Sequence, residues 1–299
     1  MNKLILIDGN AILHRAFHAL PPLTTRRGEP INAVYGLVSM LLRVIQDLKP
    51  THIAVVFDTP KPTFRKKLFT SYQSQRPETA KELSGQFEKA RKVLKAFNIP
   101  LYEADGFEGD DVIGTLASQA GKETNEVVIV SGDRDILQLV DEKVKVYLPV
   151  AGLANAKLMG IEEVIEKMGV KPNQIDDYKA LVGDPADNYK GVSGVGPKTA
   201  ISLLSKYKSL KGIYENLKKI TPQLREKLEK GRTDSQLSKK LATIVKDAPV
   251  KLNLENCRKW EVDRDEVLKL FAEFGFKTLT ERVKKVGKEI DLEKQGNLF

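Results

Sequence analysis

Three short runs of branched apolar residues punctuate the first half of the chain: Leu4–Ile7, Ile53–Phe57 and Val127–Val130. Each is too short for a buried helix and none alternates with polar residues, which is how a strand covered on both faces of a parallel sheet reads. Between them the apolar spacing changes to three and four. Val34, Leu37, Val38, Leu41, Ile45 and Leu48 form one such stripe, and Leu83, Phe87, Ala90, Leu94 and Phe97 another. Strands alternating with amphipathic helices predict an α/β fold whose parallel sheet is covered by helices on both faces. From about Pro172 the strand signal fades and helical segments follow one another to about Val286. The chain therefore divides into a sheet domain over 1–172, a helical region over 173–286 and a loosely ordered tail over 287–299.

One stretch breaks the rhythm. Residues 59–82 hold Lys61, Arg65, Lys66, Lys67 and Arg76, interleaved with Phe64, Phe69 and Tyr72 and almost without aliphatic anchors. Two readings stand: a solvated loop with a basic face, or a mobile element that grips a phosphate backbone and stacks a ring on a base.

Carboxylates fall where the strands end. Asp8 follows LILI, Asp58 follows IAVVF and Asp133 follows VVIVSG. Any one of them could close a turn or cap a helix. Three strand ends delivering an acid to the same edge is another matter, because ligands of open α/β sheets bind at that edge. Two acidic clusters join them. Glu108-Gly-Asp110-Asp111 opens a helix expected over Asp110–Ala120, and Asp184-Pro-Ala-Asp187 puts two acids on one face of a turn. So many like charges in one cleft repel by several kcal/mol unless cations neutralise them.

Composition narrows the cation. The chain has one cysteine, Cys257, and three histidines, which excludes an internal disulfide, a Cys-based zinc site and a His-rich site. Oxygen-only ligands select hard ions, Mg²⁺ or Mn²⁺. Two such ions about 4 Å apart clamp a phosphodiester for hydrolysis. No GxxxxGK[ST] loop accompanies them, so transfer from a nucleoside triphosphate is not indicated. The net charge is +9 over 299 residues; with many acids gathered at the strand ends, the remaining surface is more basic than that total. No run is long enough to span a membrane and the N-terminus lacks a signal-peptide core, so a cytoplasmic protein is expected.

The segment Gly191-Val-Ser-Gly194-Val-Gly196-Pro197-Lys198-Thr199-Ala200 precedes an apolar helical run. Its glycines permit a tight turn, Pro197 suits a first helical position, and the free amides there can hold a phosphate with Lys198 beside them. Such a grip reads backbone shape and not base sequence.

Together, LIDGN, VVFD, EGDDV, SGDRD and GDPADN–GVSGVGPKTA resemble the 5′ nuclease domain of bacterial DNA polymerase I, in order and over roughly residues 3–280. The resemblance implies a PIN-like catalytic domain, an arch over about residues 59–82 that threads a 5′ flap, and a helix-hairpin-helix region that also binds K⁺. It implies one Mg²⁺ held at Asp8, Asp58, Glu108 and Asp110, with Mn²⁺ able to substitute. A second ion is implied near Asp133, Asp135, Asp184 and Asp187, with Asp111 close by. Arg15, Arg65, Tyr72 and Arg76 match positions that contact substrate, and Lys66, Lys67, Gly194, Gly196, Lys198 and Thr199 are the further expected DNA contacts. The family usually carries a lysine after the arch tyrosine; here Gln73 keeps a donor and loses the charge. Either Lys66, Lys67 or Arg76 compensates, or turnover is slowed.

The implied function is a monomeric, nucleoid-associated 5′-3′ exonuclease or flap endonuclease of replication and repair, acting on DNA 5′ ends or flaps, RNA primers included. A PIN-type ribonuclease would share the acids but lack the arch and the glycine hairpin; a non-catalytic DNA-binding module would need the hairpin without the acids. The last residues, Gln295–Phe299, resemble a sliding-clamp docking motif or form a frayed tail. The first reading goes with a stand-alone enzyme, the second with the front part of a polymerase.

Overall fold

The computed structural model describes residues 2–151 and 155–296. The first part of the chain runs β1 (Lys3–Asp8), α1 (Gly9–Ala19), α2 (Asn32–Leu48), β2 (His52–Val56), α3 (Phe64–Leu68), α4 (Lys81–Ala96), β3 (Leu101–Tyr102), α5 (Gly109–Ala120) and β4 (Glu126–Val130). It continues through β5 (Val144–Ala151), β6 (Asn155–Met159), α6 (Ile161–Met168), α7 (Ile175–Val182), β7 (Gly183–Asp184), β8 (Tyr189–Lys190) and α8 (Pro197–Tyr207). Six further helices complete it: α9 (Leu210–Glu215), α10 (Pro222–Lys230), α11 (Arg232–Ala242), α12 (Leu254–Cys257), α13 (Asp265–Phe274) and α14 (Lys277–Gly296). Among the described residues no helix is long and apolar enough to cross a membrane.

The sheet has the order β3-β2-β1-β4-β5-β6, parallel except for β6, which runs antiparallel to β5. Period two decides which face each strand residue covers. Leu4, Leu6, Val127 and Ile129 pack with α5 and with the helical region from α6 to α10. Ile5, Ile7, Val128 and Val130 pack with α1, α2, α4, α13 and α14 on the other face. The central pair, β1 and β4, is where the strand order reverses, and the crevice beyond their C-terminal ends is the natural ligand position.

Four expectations change. The helical region is not one block, because the chain returns to the sheet after α12. Glu261 N donates to Phe97 O at 3.0 Å, Trp260 Nε1 to Thr51 O at 3.3 Å, and Phe271, Leu279 and Val283 complete the second core. The tail expected from 287 is helical to Gly296. Gly287, the first residue of that expected tail, allows close packing: a Cβ there would lie 2.5 Å from the Asp263 carboxyl. The helix formed over Pro197–Tyr207 is accompanied by an unforeseen pair of two-residue strands, β7 and β8, which carries Asp184 at its tip. Finally, residues 59–82, where the arch is expected, are helical only in part: the short α3, turns through Arg76 and the first residues of α4. Pro60, Pro62 and Pro77 interrupt helix propagation there. The clamp-like segment Gln295–Phe299 lies outside the described residues, apart from the helical backbone of its first two positions.

Candidate active site

Beyond the strand ends lies an open cavity of about 710 Å³ lined by Asp8, Asp58, Glu108, Asp110, Asp133, Asp135 and Asp187. Three of these acids keep a local role while facing it. Asp8 accepts from Ala11 N at 2.8 Å, capping α1, and its other oxygen accepts from Ser131 Oγ at 2.7 Å. Asp58 accepts from Gly109 N at 2.6 Å, which ties β2 to the start of α5. Asp133 accepts from Asp135 N at 2.8 Å, so the capping role and the cavity position coexist.

Burial, and repulsion among the acids, shape their protonation. Burial pushes Asp8 up to about 7, with Asp58 and Asp133 adding to it, and pushes Glu108 to about 7. Asp110 is raised well above its ordinary value by burial and by Asp133, Asp8 and Asp58. Asp58 is raised as well, and Asp135 to about 6. Such a cluster discards protons gladly only when a cation replaces them.

On the far side, Asp135, Asp184 and Asp187 bring one oxygen each within 4.8 Å of one another, a spacing that suits a shared ion. The Lys179 ammonium already bridges Asp135 and Asp184. Burial alone would raise Asp184, but the Lys179 hydrogen bond and charge outweigh it and hold that carboxyl below its usual range. An all-oxygen donor set that crowds together and draws in an internal cation fits a hard divalent metal.

The basic segment closes over the acids. Arg76 donates to Asp187 at 2.6 Å and the Tyr72 hydroxyl lies 3.2 Å from both Glu108 and Asp187, bridging the two sides. Gln73 sits in the left-handed region (φ 54°) and donates its backbone N–H to the Asp187 carbonyl at 3.0 Å. Asn188 donates to Ser71 O and Ser74 Oγ, pinning the same turn. Lys66 donates to the Tyr72 carbonyl at 2.6 Å, which sets its charge beside Gln73. Lys67 is exposed. Arg15 lies against the Gly132 backbone at the end of β4 and does not line the cavity.

Two expected site residues pair with each other. Arg65 is 2% exposed, and its donors go to both oxygens of Asp111 (2.6 and 2.9 Å), to Glu108 and to the carbonyls of Leu241 and Thr243. Asp111 is fully buried and also accepts from Glu108 N and Val245 N. Arg65 borders the cavity with its donors engaged inside the protein, and Asp111 lies beneath it with its oxygens taken by Arg65 and two backbone amides. Together they bolt α3 to α5 and to the end of α11.

The glycine turn projects from the same segment that carries Asp184 and Asp187. Gly191 packs where a Cβ would lie 2.3 Å from Leu181 O, and Gly194 turns at φ 75°. Gly196, Pro197 and Lys198 are exposed and Thr199 half-buried, at the N-terminus of α8. The sequence reading missed Lys179, Asn10 and Ser131. Asn10, whose side chain accepts from Asp58 N at 3.1 Å, and Ser131 sat inside quoted motifs. Lys179, five residues before Asp184, was hidden because helical spacing says nothing about a side chain that reaches across to another element.

A parallel sheet with carboxylates at its switch point, a basic segment over them and a glycine turn opening a helix beside them fit a metal-dependent 5′ nuclease. Family models for the 5′-3′ exonuclease match nearly all of the chain: its N-terminal resolvase-like domain over residues 3–169 and its C-terminal SAM fold over 170–265. The chain belongs to the 5′-3′ exonuclease family. DNA polymerase I of Caldicellulosiruptor bescii is 44% identical over 94% of this chain and 33% of its own, and that of Bacillus subtilis 42% over 94% and 32%. The chain thus spans about a third of the curated relatives it matches. Among solved structures, the bacteriophage T5 5′-exonuclease with bound divalent zinc has a TM-score of 0.67 at 20% identity, covering 95% of this chain and 98% of that one. The catalytic core of Rad2 in complex with DNA substrate has a TM-score of 0.57 at 13% identity, covering 95% and 90%.

Proposed function

We propose that the chain hydrolyses phosphodiester bonds of DNA at 5′ ends and 5′ flaps, using two Mg²⁺ ions, as a monomer in the cytosol on the nucleoid. The observation that carries this reading is one cavity in which seven carboxylates converge beneath Lys66, Tyr72 and Arg76. Asp8, Asp58, Glu108 and Asp110 would hold one ion, and Asp133, Asp135, Asp184 and Asp187 the other. When bound, such ions activate water and neutralise charge developing on the phosphate. Among solved relatives, one T5 flap endonuclease structure is a pseudo-enzyme-product complex with DNA and metal ions.

The protein's own groups do the positioning. Arg76 leaves Asp187 to pair with a substrate phosphate, and Lys66 supplies charge where Gln73 has none. Tyr72 offers its hydroxyl between Glu108 and Asp187, and its buried ring is steadied by stacking on Tyr189. The amides of Gly194, Gly196, Lys198 and Thr199, with the Lys198 ammonium, would hold the duplex backbone, and a K⁺ ion at that turn would complete the grip. Substrate selection is by shape, which admits an RNA-primed 5′ end. Gln295–Phe299 would dock on a sliding clamp; deleting those residues should then weaken clamp binding and leave cleavage intact.

The test is cleavage of labelled 5′-flap DNA, plain duplex and hairpin RNA in Mg²⁺ and in EDTA. Flap-selective cutting near the junction, lost in EDTA, is the expected result. Preferential cutting of the RNA would favour a PIN-type ribonuclease.

A further inference from the structure

We infer that Lys179 is a resident cation of the Asp135–Asp184–Asp187 cluster, which makes that half of the cavity the weaker of the two divalent-ion sites. The inference rests on the reading of these acids as metal ligands and adds a role for a residue outside them. Lys179 rises from α7, and its side chain is only 13% exposed. Its ammonium hydrogen-bonds Asp135 and Asp184 at once, bridging the residues after β4 and the tip of the β7–β8 hairpin. Arg76 covers Asp187 in the same cluster. Within this cluster two of the three carboxylates' charges are already met by side-chain cations, which weakens the pull on an incoming ion.

The other half differs. Among the described residues no ion pair reaches Asp8, Asp58 or Asp110, and the pairs of Arg65 go to Glu108 and Asp111. An ion entering there meets no cationic side chain at Asp8, Asp58 or Asp110 and has only protons to displace from them. An ion entering beside Lys179 must displace the ammonium or share its ligands, and like charges this close oppose binding. Arg76 is half exposed and can swing away, whereas Lys179 is held by the packing of α7. The lysine therefore sets the affinity of the second site, and also keeps Asp135 and Asp184 together while no ion is bound.

The test is Mn²⁺ binding to the full, DNA-free chain, by calorimetry and by the paramagnetic resonance of free Mn²⁺. The wild type should bind two ions with dissociation constants at least about tenfold apart, and Asp110→Asn should remove the tighter one. Lys179→Met should tighten the weaker site by about tenfold and change the tighter by less than about twofold, while Lys179→Arg keeps the wild-type ratio. Should Lys179→Met not fold, the wild-type ratio and Lys179→Arg decide. Two equal wild-type sites, or a weaker site that Lys179→Met leaves unchanged, overturns the inference. If the wild type binds no Mn²⁺ at all, the metal reading itself fails.

Discussion

On the sheet side of the cavity, Asp8, Asp58 and Asp110 sit deep in the strand ends and helix starts, and burial raises all three above the ordinary carboxylate range. On the hairpin side, Asp184 and Asp187 carry Lys179 and Arg76, and Asp184 is held below that range. The same residue type is thus kept in two states: one waiting for an external cation, the other already served by an internal one. A rigid sheet can hold bare acids together because its core leaves them nowhere to go. A two-residue hairpin cannot, and it is the lysine that gathers it.

The largest effect should come from removing the acid whose charge is felt on both sides, since Asp133 raises Asp8 and Asp110 as well as Asp135. Asp133→Ala is expected to lower the single-turnover rate at least about 10³-fold and to retain flap affinity, since it removes a metal ligand and no phosphate grip. Loss of binding and cutting together would mean the acid is structural. Next comes the pair that the comparison sets outside both halves. Asp111→Ala removes the bidentate partner of the buried Arg65 guanidinium, leaving only the longer pair with Glu108, and should cost about 3–5 kcal/mol of stability in a denaturant titration. Combining it with Arg65→Met should recover much of that loss, because both charges then go. A variant that stays fully stable but loses a bound ion would return Asp111 to the ligands.

The raised carboxyls give the comparison a pH signature. A folded-state value of about 7 for Asp8 and Glu108, above the unfolded value near 4, means that the folded chain binds more protons between those limits. Their contribution is complete below about pH 4 and is lost as pH climbs through 7. In EDTA, the melting temperature should therefore fall by about 5 °C or more between pH 5.5 and pH 8, and divalent ions should remove most of that fall. A metal-free melting temperature that rises over this interval would mean the acids are already neutralised. The smallest effect concerns Gln73. With Lys66 placed at the Tyr72 carbonyl, Gln73→Lys should alter the single-turnover rate by less than about threefold, and a larger gain would show that the charge is missing.

Much of this was legible in the chain itself. The continuous apolar runs placed β1, β2 and β4, and strand ends are where side-chain direction follows from local geometry, so Asp8, Asp58 and Asp133 could be assigned to one edge. The glycine turn was legible for the same reason: conformations that demand glycine leave a local trace. What could not be read depends on contacts between distant segments. Arg65 and Asp111 stand 46 positions apart and look like a surface base and a helix-capping acid until folding buries them against each other. The extension of α14 depended on Gly287 meeting Asp263, and the turn over 70–76 on its bonds to Asp187 and Asn188. Periodicity carries no information about such meetings.

Anomalous diffraction from crystals grown with Mn²⁺ and without DNA tests the account most directly. It predicts a strong peak among Asp8, Asp58, Glu108 and Asp110 and a weaker one, filling only at higher Mn²⁺, among Asp135, Asp184 and Asp187. A single strong peak on the Lys179 side, or none within the cavity, would contradict it.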